Sequence, residues 1–160
     1  MKINSPIGSL WLAADASGLT KVSFTELPES EENMFIVQAK QQLEEYFDGS
    51  RQNFTVPLSI NKGTLFQQSV WQALTTIPYG QTWSYLDVAQ ALNNPKAVRA
   101  IGQANSKNPL PIIIPCHRVI GRNGKLTGYF GSNEAASLAV KQFLLDLEKE
   151  NRQSSCSKDC

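Results

Sequence analysis

The feature that most restricts this chain is a series of helix start and stop signals between Thr64 and Pro109, spaced too closely for anything but short helices. Thr64 and Gln67 form a capping box, in which a hydroxyl and an amide three residues apart satisfy backbone N–H groups reciprocally. Behind it, Phe66, Val70 and Leu74 make an apolar stripe. Pro78-Tyr79-Gly80 supplies a turn, and Ser84 with Asp87 repeats the capping signal ahead of Val88, Ala91 and Leu92. Asn94-Pro95 predicts a third start with proline at the first helical position, and Asn108-Pro109 stops that helix near Lys107. On this third helix Ala97, Val98, Ile101 and Ala104 are expected to pack inward, with Lys96, Arg99, Gln103 and Lys107 on the opposite side. Ala100 and Gly102 add little bulk, so its backbone could approach a phosphate chain closely. A slim cationic helix after helix and turn is the organisation of a DNA-reading module; an ordinary helical hairpin has the same pattern.

The residues on either side predict different textures. Ser9 to Asp15 and Leu19 to Phe24 are β-rich runs flanking Ala16-Ser17-Gly18, which predicts a hairpin. Ile36, Val37, Leu43, Tyr46 and Phe47 then recur at helical spacing, with Gly49 at the C-terminal cap, and Gln52 to Leu58 reads as a returning strand. A last helix is expected over roughly Glu134 to Glu150, where Leu138, Val140, Phe143, Leu144 and Leu147 recur. The expected organisation is a mixed α/β unit over 1–60, a helical unit over 61–151 and a mobile tail over 152–160. With 160 residues, 41% of them apolar, there is material for a real core. Neither a leader-type apolar run in Met1 to Thr20 nor a stretch of the ~18 apolar residues that span a bilayer is present, so the chain is expected inside the cell, without a membrane partner.

The net charge of +1 hides a segregation. Eight of the fourteen acids precede residue 50 and five follow residue 133, and between Gln52 and Asn133 the only acid is Asp87. Lys62, Lys96, Arg99, Lys107, Arg118, Arg122 and Lys125 fill that interval, which suits a polyanionic partner. The three cysteines are Cys116, Cys156 and Cys160, an odd set with two in the tail, which is no disulfide framework. No metal is expected, because His117 is the sole histidine and the tail thiols lack a second pair.

The chemistry concentrates where a stiff run, Asn108-Pro109-Leu110-Pro111-Ile112-Ile113-Ile114-Pro115, delivers Cys116 and His117 side by side. A free thiol titrates near ~8.5, so a reactive cysteine needs help, and His117 could take its proton directly or through a water while the basic surroundings favour the thiolate. A buried structural cysteine beside a surface histidine is the plain alternative. Against it stands the pairing of the only histidine with the only cysteine outside the tail. Glu148 lies on the edge of the last helix's apolar stripe, where a carboxylate is costly unless paired, and His117 is a natural partner.

Pro115-Cys116-His117-Arg118-Val119-Ile120-Gly121 resembles the active-site signature of the O-alkylguanine-DNA alkyltransferases, the methylated-DNA–protein-cysteine methyltransferases. Phe66-Gln67-Gln68-Ser69-Val70-Trp71, Ile77-Pro78-Tyr79-Gly80, Asn94-Pro95-Lys96-Ala97-Val98-Arg99-Ala100, Asn108-Pro109 and Gly128-Tyr129 resemble further blocks of that family in the same order, and Ser5-Pro6-Ile7-Gly8 extends the likeness to the N-terminal part. The resemblance implies an α+β fold: a small N-terminal β-sheet plus helix, ribonuclease-H-like, followed by a mostly helical, winged-helix-like helix-turn-helix unit. It implies stoichiometric, self-inactivating transfer of an alkyl group from 6-O-alkylguanine in duplex DNA to Cys116, with 4-O-alkylthymine as a second candidate substrate. His117 and Glu148 would activate the thiol and Asn108 would organise its turn. Tyr85, Val119, Tyr129, Phe130 and Gly131 would meet the everted base, and Arg99, as the finger filling the gap, would bind DNA together with Asn94, Lys96 and Arg122. No cofactor is implied, and a cytoplasmic monomer is expected, nuclear in a eukaryote. Departures from the family pattern are Ser132 at a frequent glycine, a longer segment from Ser132 to Ala139, and Leu65 for a common proline.

Three rivals remain at this level. A relative that only binds alkylated guanine would lack Cys116; a thiol hydrolase using Cys116, His117 and Glu148 would have no use for Arg99 and the basic helix; for a plain helix-turn-helix regulator Cys116 would be incidental.

Overall fold

The computed structural model describes residues 1–29, 33–121 and 135–159. Two compact units result, Met1–Lys62 and Gly63–Cys160.

The first unit is built on a three-stranded antiparallel sheet of β1 (Lys2–Ser5), β2 (Gly8–Ala14) and β3 (Leu19–Ser23), in that order. The predicted hairpin is β2–β3, paired Trp11 to Ser23 and Leu12 to Val22 with an irregularity at Ala13/Ala14. Gly8, at φ 108°, closes the β1–β2 turn in a conformation that side chains rarely adopt. Ile3, Leu10, Leu12, Leu19 and Val22 are buried, and so are Ile36, Ala39, Leu43 and Tyr46 of α1 (Met34–Phe47), which recur at helical spacing. Val37, expected in that stripe, is 44% exposed.

Gln52 to Leu58 does not form the expected strand. It carries one isolated bridge, Leu58 to Leu19, and is held by the buried side chain of Gln42, whose Oε1 accepts from Thr55 N at 3.0 Å and Val56 N at 3.1 Å. A side-chain amide here supplies the pairing that a sheet ladder would otherwise give. Gly18 is required by the same segment, since a Cβ there would come within 2.6 Å of Pro57 O.

The second unit starts with α2 (Leu65–Leu74) behind a complete Thr64/Gln67 capping box, and Val70, Trp71 and Leu74 form its buried face. Leu65, at the first helical position, is 85% exposed. α3 (Tyr85–Ala91) follows the complete Ser84/Asp87 box. α4 (Val98–Ser106) begins four residues after Asn94, later than predicted, and Ala97 caps it without a side-chain hydrogen bond. Asn94 O accepts from Ala97 N at 3.0 Å, so Pro95 fixes the second position of a tight turn rather than the first of a helix. The shorter helix buries Ile101, Ala104 and Asn105, while Val98, expected inside, is 37% exposed. Trp71 ties α2 to α4 through a 2.9 Å bond from Nε1 to Ala104 O.

Two residues of β4 (Trp83–Ser84) pair in parallel with two of β5 (Val119–Ile120). This short ladder fixes the start of α3 beside the segment that follows Cys116. The last helix, α5, runs Ala135–Asp159, through the residues expected as a tail. Among the described residues no helix is long and apolar enough to cross a membrane.

Candidate active site

Asn108 builds the turn that carries the cysteine. Its Nδ2 donates to Ile114 O at 2.8 Å and its Oδ1 accepts from Leu110 N at 2.9 Å, both buried. Leu110 O accepts from Ile114 N at 2.8 Å, closing the loop between them. Ile112 adopts φ 74° inside this loop, a conformation costly for a β-branched residue, and is itself buried. Asn108→Ala would take from the buried Leu110 N–H its acceptor and leave the Ile114 carbonyl with Cys116 N, which also bonds it at 2.8 Å. It is expected to cost about 2–4 kcal/mol of stability, measured as a lower urea midpoint at unchanged slope.

Cys116, His117 and Arg118 form a single 3₁₀ turn in which all three are buried. Nε2 of His117 lies 2.6 Å from Oε2 of Glu148, and both side chains are almost fully buried. Glu148 is shared with Arg118: Nε donates to Oε1 at 2.7 Å and Nη2 to Oε2 at 3.0 Å. Gly80 N adds a further bond to Oε1 at 3.2 Å. Burial alone would raise this carboxyl's pKa, but the bonds and charges of His117 and Arg118 hold it well below the usual carboxylate range. An ionised carboxylate only accepts, so His117 donates through Nε2, and its Nδ1 is left as the acceptor. Nδ1 is buried without a hydrogen-bond partner among the described residues. Desolvation keeps the imidazole pKa below its ordinary value despite Glu148, and the charges of Arg118 and Lys141 act in the same direction.

The sulfur does not stand as the sequence predicts. Cys116 is only 4% exposed, and burial pushes its thiol up to about 11, against a side-chain hydrogen bond from Asn108 and the charge of Lys141. The expected resting thiolate is therefore corrected to a thiol, because loss of hydration outweighs the basic neighbours that the sequence places nearby.

Lys141 is the residue that sequence reasoning missed. It is 1% exposed on α5, and its Nζ donates to Val119 O at 2.6 Å. Desolvation lowers it to about 8, with the charge of Cys116 opposing that shift. A signal was present: Lys141 lies three residues before Leu144 and seven before Glu148, on one helical face with both. The other missed partner is Arg118, which also donates through Nη1 to Ile77 O at 2.7 Å and sits 5.6 Å over the Tyr79 ring.

The remaining expected residues divide by location. Val119 is fully buried beside the sulfur-bearing turn, and Tyr85 starts α3, one residue beyond the β4–β5 ladder. A Cβ on Gly102 of α4 would lie 3.9 Å from the Tyr85 ring, so this ring adjoins the α4 face that Arg99 shares three residues earlier. Asn94, Lys96 and Arg99 are exposed. Arg122, Tyr129, Phe130, Gly131 and Cys160 lie outside the described residues, as does the side chain of Cys156.

Comparison with known proteins meets this geometry. The 6-O-methylguanine DNA methyltransferase, ribonuclease-like domain matches residues 1–60, and the 6-O-methylguanine DNA methyltransferase, DNA binding domain matches residues 65–150. The chain is 47% identical to the constitutive methylated-DNA–protein-cysteine methyltransferase of Bacillus subtilis, over 91% of this chain and 92% of that one. It is 51% identical to the methylated-DNA–protein-cysteine methyltransferase of Methanosarcina acetivorans, over 90% and 94% respectively. The Mycobacterium tuberculosis OGT solved in complex with DNA superposes with a TM-score of 0.82 at 45% identity, covering 94% of this chain and 92% of that one.

Proposed function

Because the chain belongs to the 6-O-methylguanine DNA methyltransferase family, we propose that it reverses DNA alkylation directly, moving the alkyl group of 6-O-alkylguanine onto Cys116. The observation that carries this reading is the placement of one buried thiol in a single turn with an imidazole that is itself backed by a carboxylate.

In the reaction the thiol proton passes to Nδ1 of His117, directly or through a water, and the ammonium of Lys141 balances the sulfur's new charge. Sulfur then attacks the alkyl carbon, a carbon–sulfur bond forms and the carbon–oxygen bond breaks with its electron pair leaving on guanine, whose ring nitrogen takes up a proton. The product is a thioether, which water does not hydrolyse, so each molecule acts once. Cys116 is thus the acceptor, His117 the base, and Glu148 and Asn108 positioning groups.

A thiol this buried is closed to a base stacked in duplex DNA, whose oxygen points into the helix; the nucleotide has to be turned out first. Arg99 and Tyr85, on adjoining faces of α4 and α3, suit this eversion, with Arg99 filling the vacated stack and Tyr85 meeting the base. Asn94 and Lys96 would hold the backbone, together with Arg122. Val119 would line the base pocket with Tyr129, Phe130 and Gly131, and alkylated thymine is a second substrate for it. The small residues of α4 suit a minor-groove approach that tolerates sequence. We read the protein as a monomer acting in the cytoplasm. Arg99→Ala is expected to slow transfer from duplex DNA by far more than transfer from the free base, followed by single-turnover kinetics; equal slowing would remove its role in eversion.

A further inference from the structure

Arg118 is used by no step of this reaction, yet it is a buried cation bonded through all three of its guanidinium nitrogens. It spans the carboxylate of Glu148 with two donors, ties Ile77 O with a third, and lies over Tyr79. A lone Glu–His pair in an apolar interior has two ways to settle. The histidine can take a proton and become the carboxylate's counter-ion, or it can stay neutral and donate one hydrogen. Only the second leaves Nδ1 able to receive a proton from sulfur. The difference rests on whether the carboxylate already has a cation.

We propose that Arg118 is a positioning residue for alkyl transfer: by serving as the counter-ion of Glu148, it keeps His117 a neutral base with its proton on Nε2. The inference rests on the transfer reading above. The groups that bear on the imidazole are few. From α5 come Glu148, whose charge favours protonation, and Lys141, whose charge opposes it; from its own turn come Cys116 and Arg118; and Tyr79, from the loop before β4, covers the guanidinium. With Arg118 in place, the carboxylate is matched and two cations oppose a third. Without it, Glu148 loses its guanidinium while keeping His117 among its partners, and the imidazolium becomes favoured. Gly80 N then still holds Oε1 of Glu148 and Oε2 still meets the ring, so a loss of Arg118 changes the proton on His117 more than the ring's position.

Since His117 is the chain's only histidine, labelling histidine with nitrogen-15 gives one imidazole to follow by NMR. The wild-type ring is expected to show a protonated Nε2 and an unprotonated Nδ1, and to become charged only below the ordinary imidazole value near ~6.5. Arg118→Met is expected to raise the midpoint of imidazolium formation by at least about one unit. The acid limb of the transfer rate should move with it, so that at a pH below both midpoints the variant loses about tenfold more of its pH 8 rate than wild type does. Arg118→Lys keeps the charge but not the fork, so its acid limb should stay near that of wild type even where the rate falls throughout. A wild-type imidazolium at neutral pH, a proton on Nδ1, or an unmoved midpoint in Arg118→Met overturns the inference. The wild-type spectrum decides it even where the methionine variant fails to fold. Absence of methyl transfer in the wild-type protein would instead sink the transfer reading, with the NMR result standing by itself.

Discussion

Cys116→Ser protein mixed with duplex DNA carrying 6-O-methylguanine gains no mass over a period in which the wild-type protein gains one methylene, located at Cys116 by peptide mapping. The sulfur already sits in a site that resists its ionisation, and a hydroxyl in the same place is far less acidic. In the proposed reaction the imidazole and ammonium suffice for a thiol and not for an alcohol. Affinity for the same DNA should be unchanged, because Asn94, Lys96 and Arg99 lie on the exposed side of the helix-turn-helix. A methylene appearing elsewhere in the serine variant would displace Cys116 as the acceptor. Turnover of a thioester by the wild-type protein would favour the hydrolase reading.

Glu148→Gln is expected to be the most damaging change to the fold around the site. It leaves Arg118 as a buried cation without its anion, which costs about 3–5 kcal/mol and lowers the melting midpoint by on the order of 10 °C. Transfer should slow by about 10²-fold in the protein that remains folded, because an amide neither polarises the imidazole nor balances a proton on it. The pH dependence follows from the same pair. The folded-state pKa of Glu148 is depressed, so its stabilisation is complete above the unfolded value near 4.5 and is lost as pH falls through the folded one. His117, with its folded pKa also depressed, resists the proton that the unfolded chain accepts, so stability declines as pH drops below the ordinary value of 6.5. Wild-type stability should therefore fall in two acid stages, whereas Glu148→Gln retains the histidine stage and lacks the carboxylate one. Retention of both stages in urea titrations from pH 7 to pH 3 would contradict this assignment.

Local chemistry was the legible part of this chain. The Thr64/Gln67 and Ser84/Asp87 boxes could be read because their partners are three residues apart, and both exist as predicted. Asn94-Pro95 misled because a proline fixed at one φ serves a tight turn as well as a first helical turn, and only the packing of Ile101 and Ala104 chooses between them. The returning strand was misread because Gln42, some thirteen residues away, replaces its ladder. In the site, the His117–Glu148 pairing could be inferred because a glutamate on an apolar face needs a partner. Nothing in the order of residues reveals that Arg118 takes the same carboxylate thirty positions on, and the one sign that Lys141 is withdrawn from water is its place on the helical face of Leu144 and Glu148. The protonation of Cys116 was misjudged for the same reason: charges can be counted along a chain, whereas desolvation depends on what folds over it.

Lys141 and Glu148 stand seven residues apart on α5, two turns of one unbroken rod, with Leu144 between them. The cation proposed to answer the sulfur and the anion proposed to steady the base are therefore rigidly coupled. Any tilt or rotation of that rod displaces both together, so a backbone disturbance cannot weaken one function and spare the other. Graded impairment has to come from exchanging individual side chains, while motions of the scaffold switch the centre on or off as a whole.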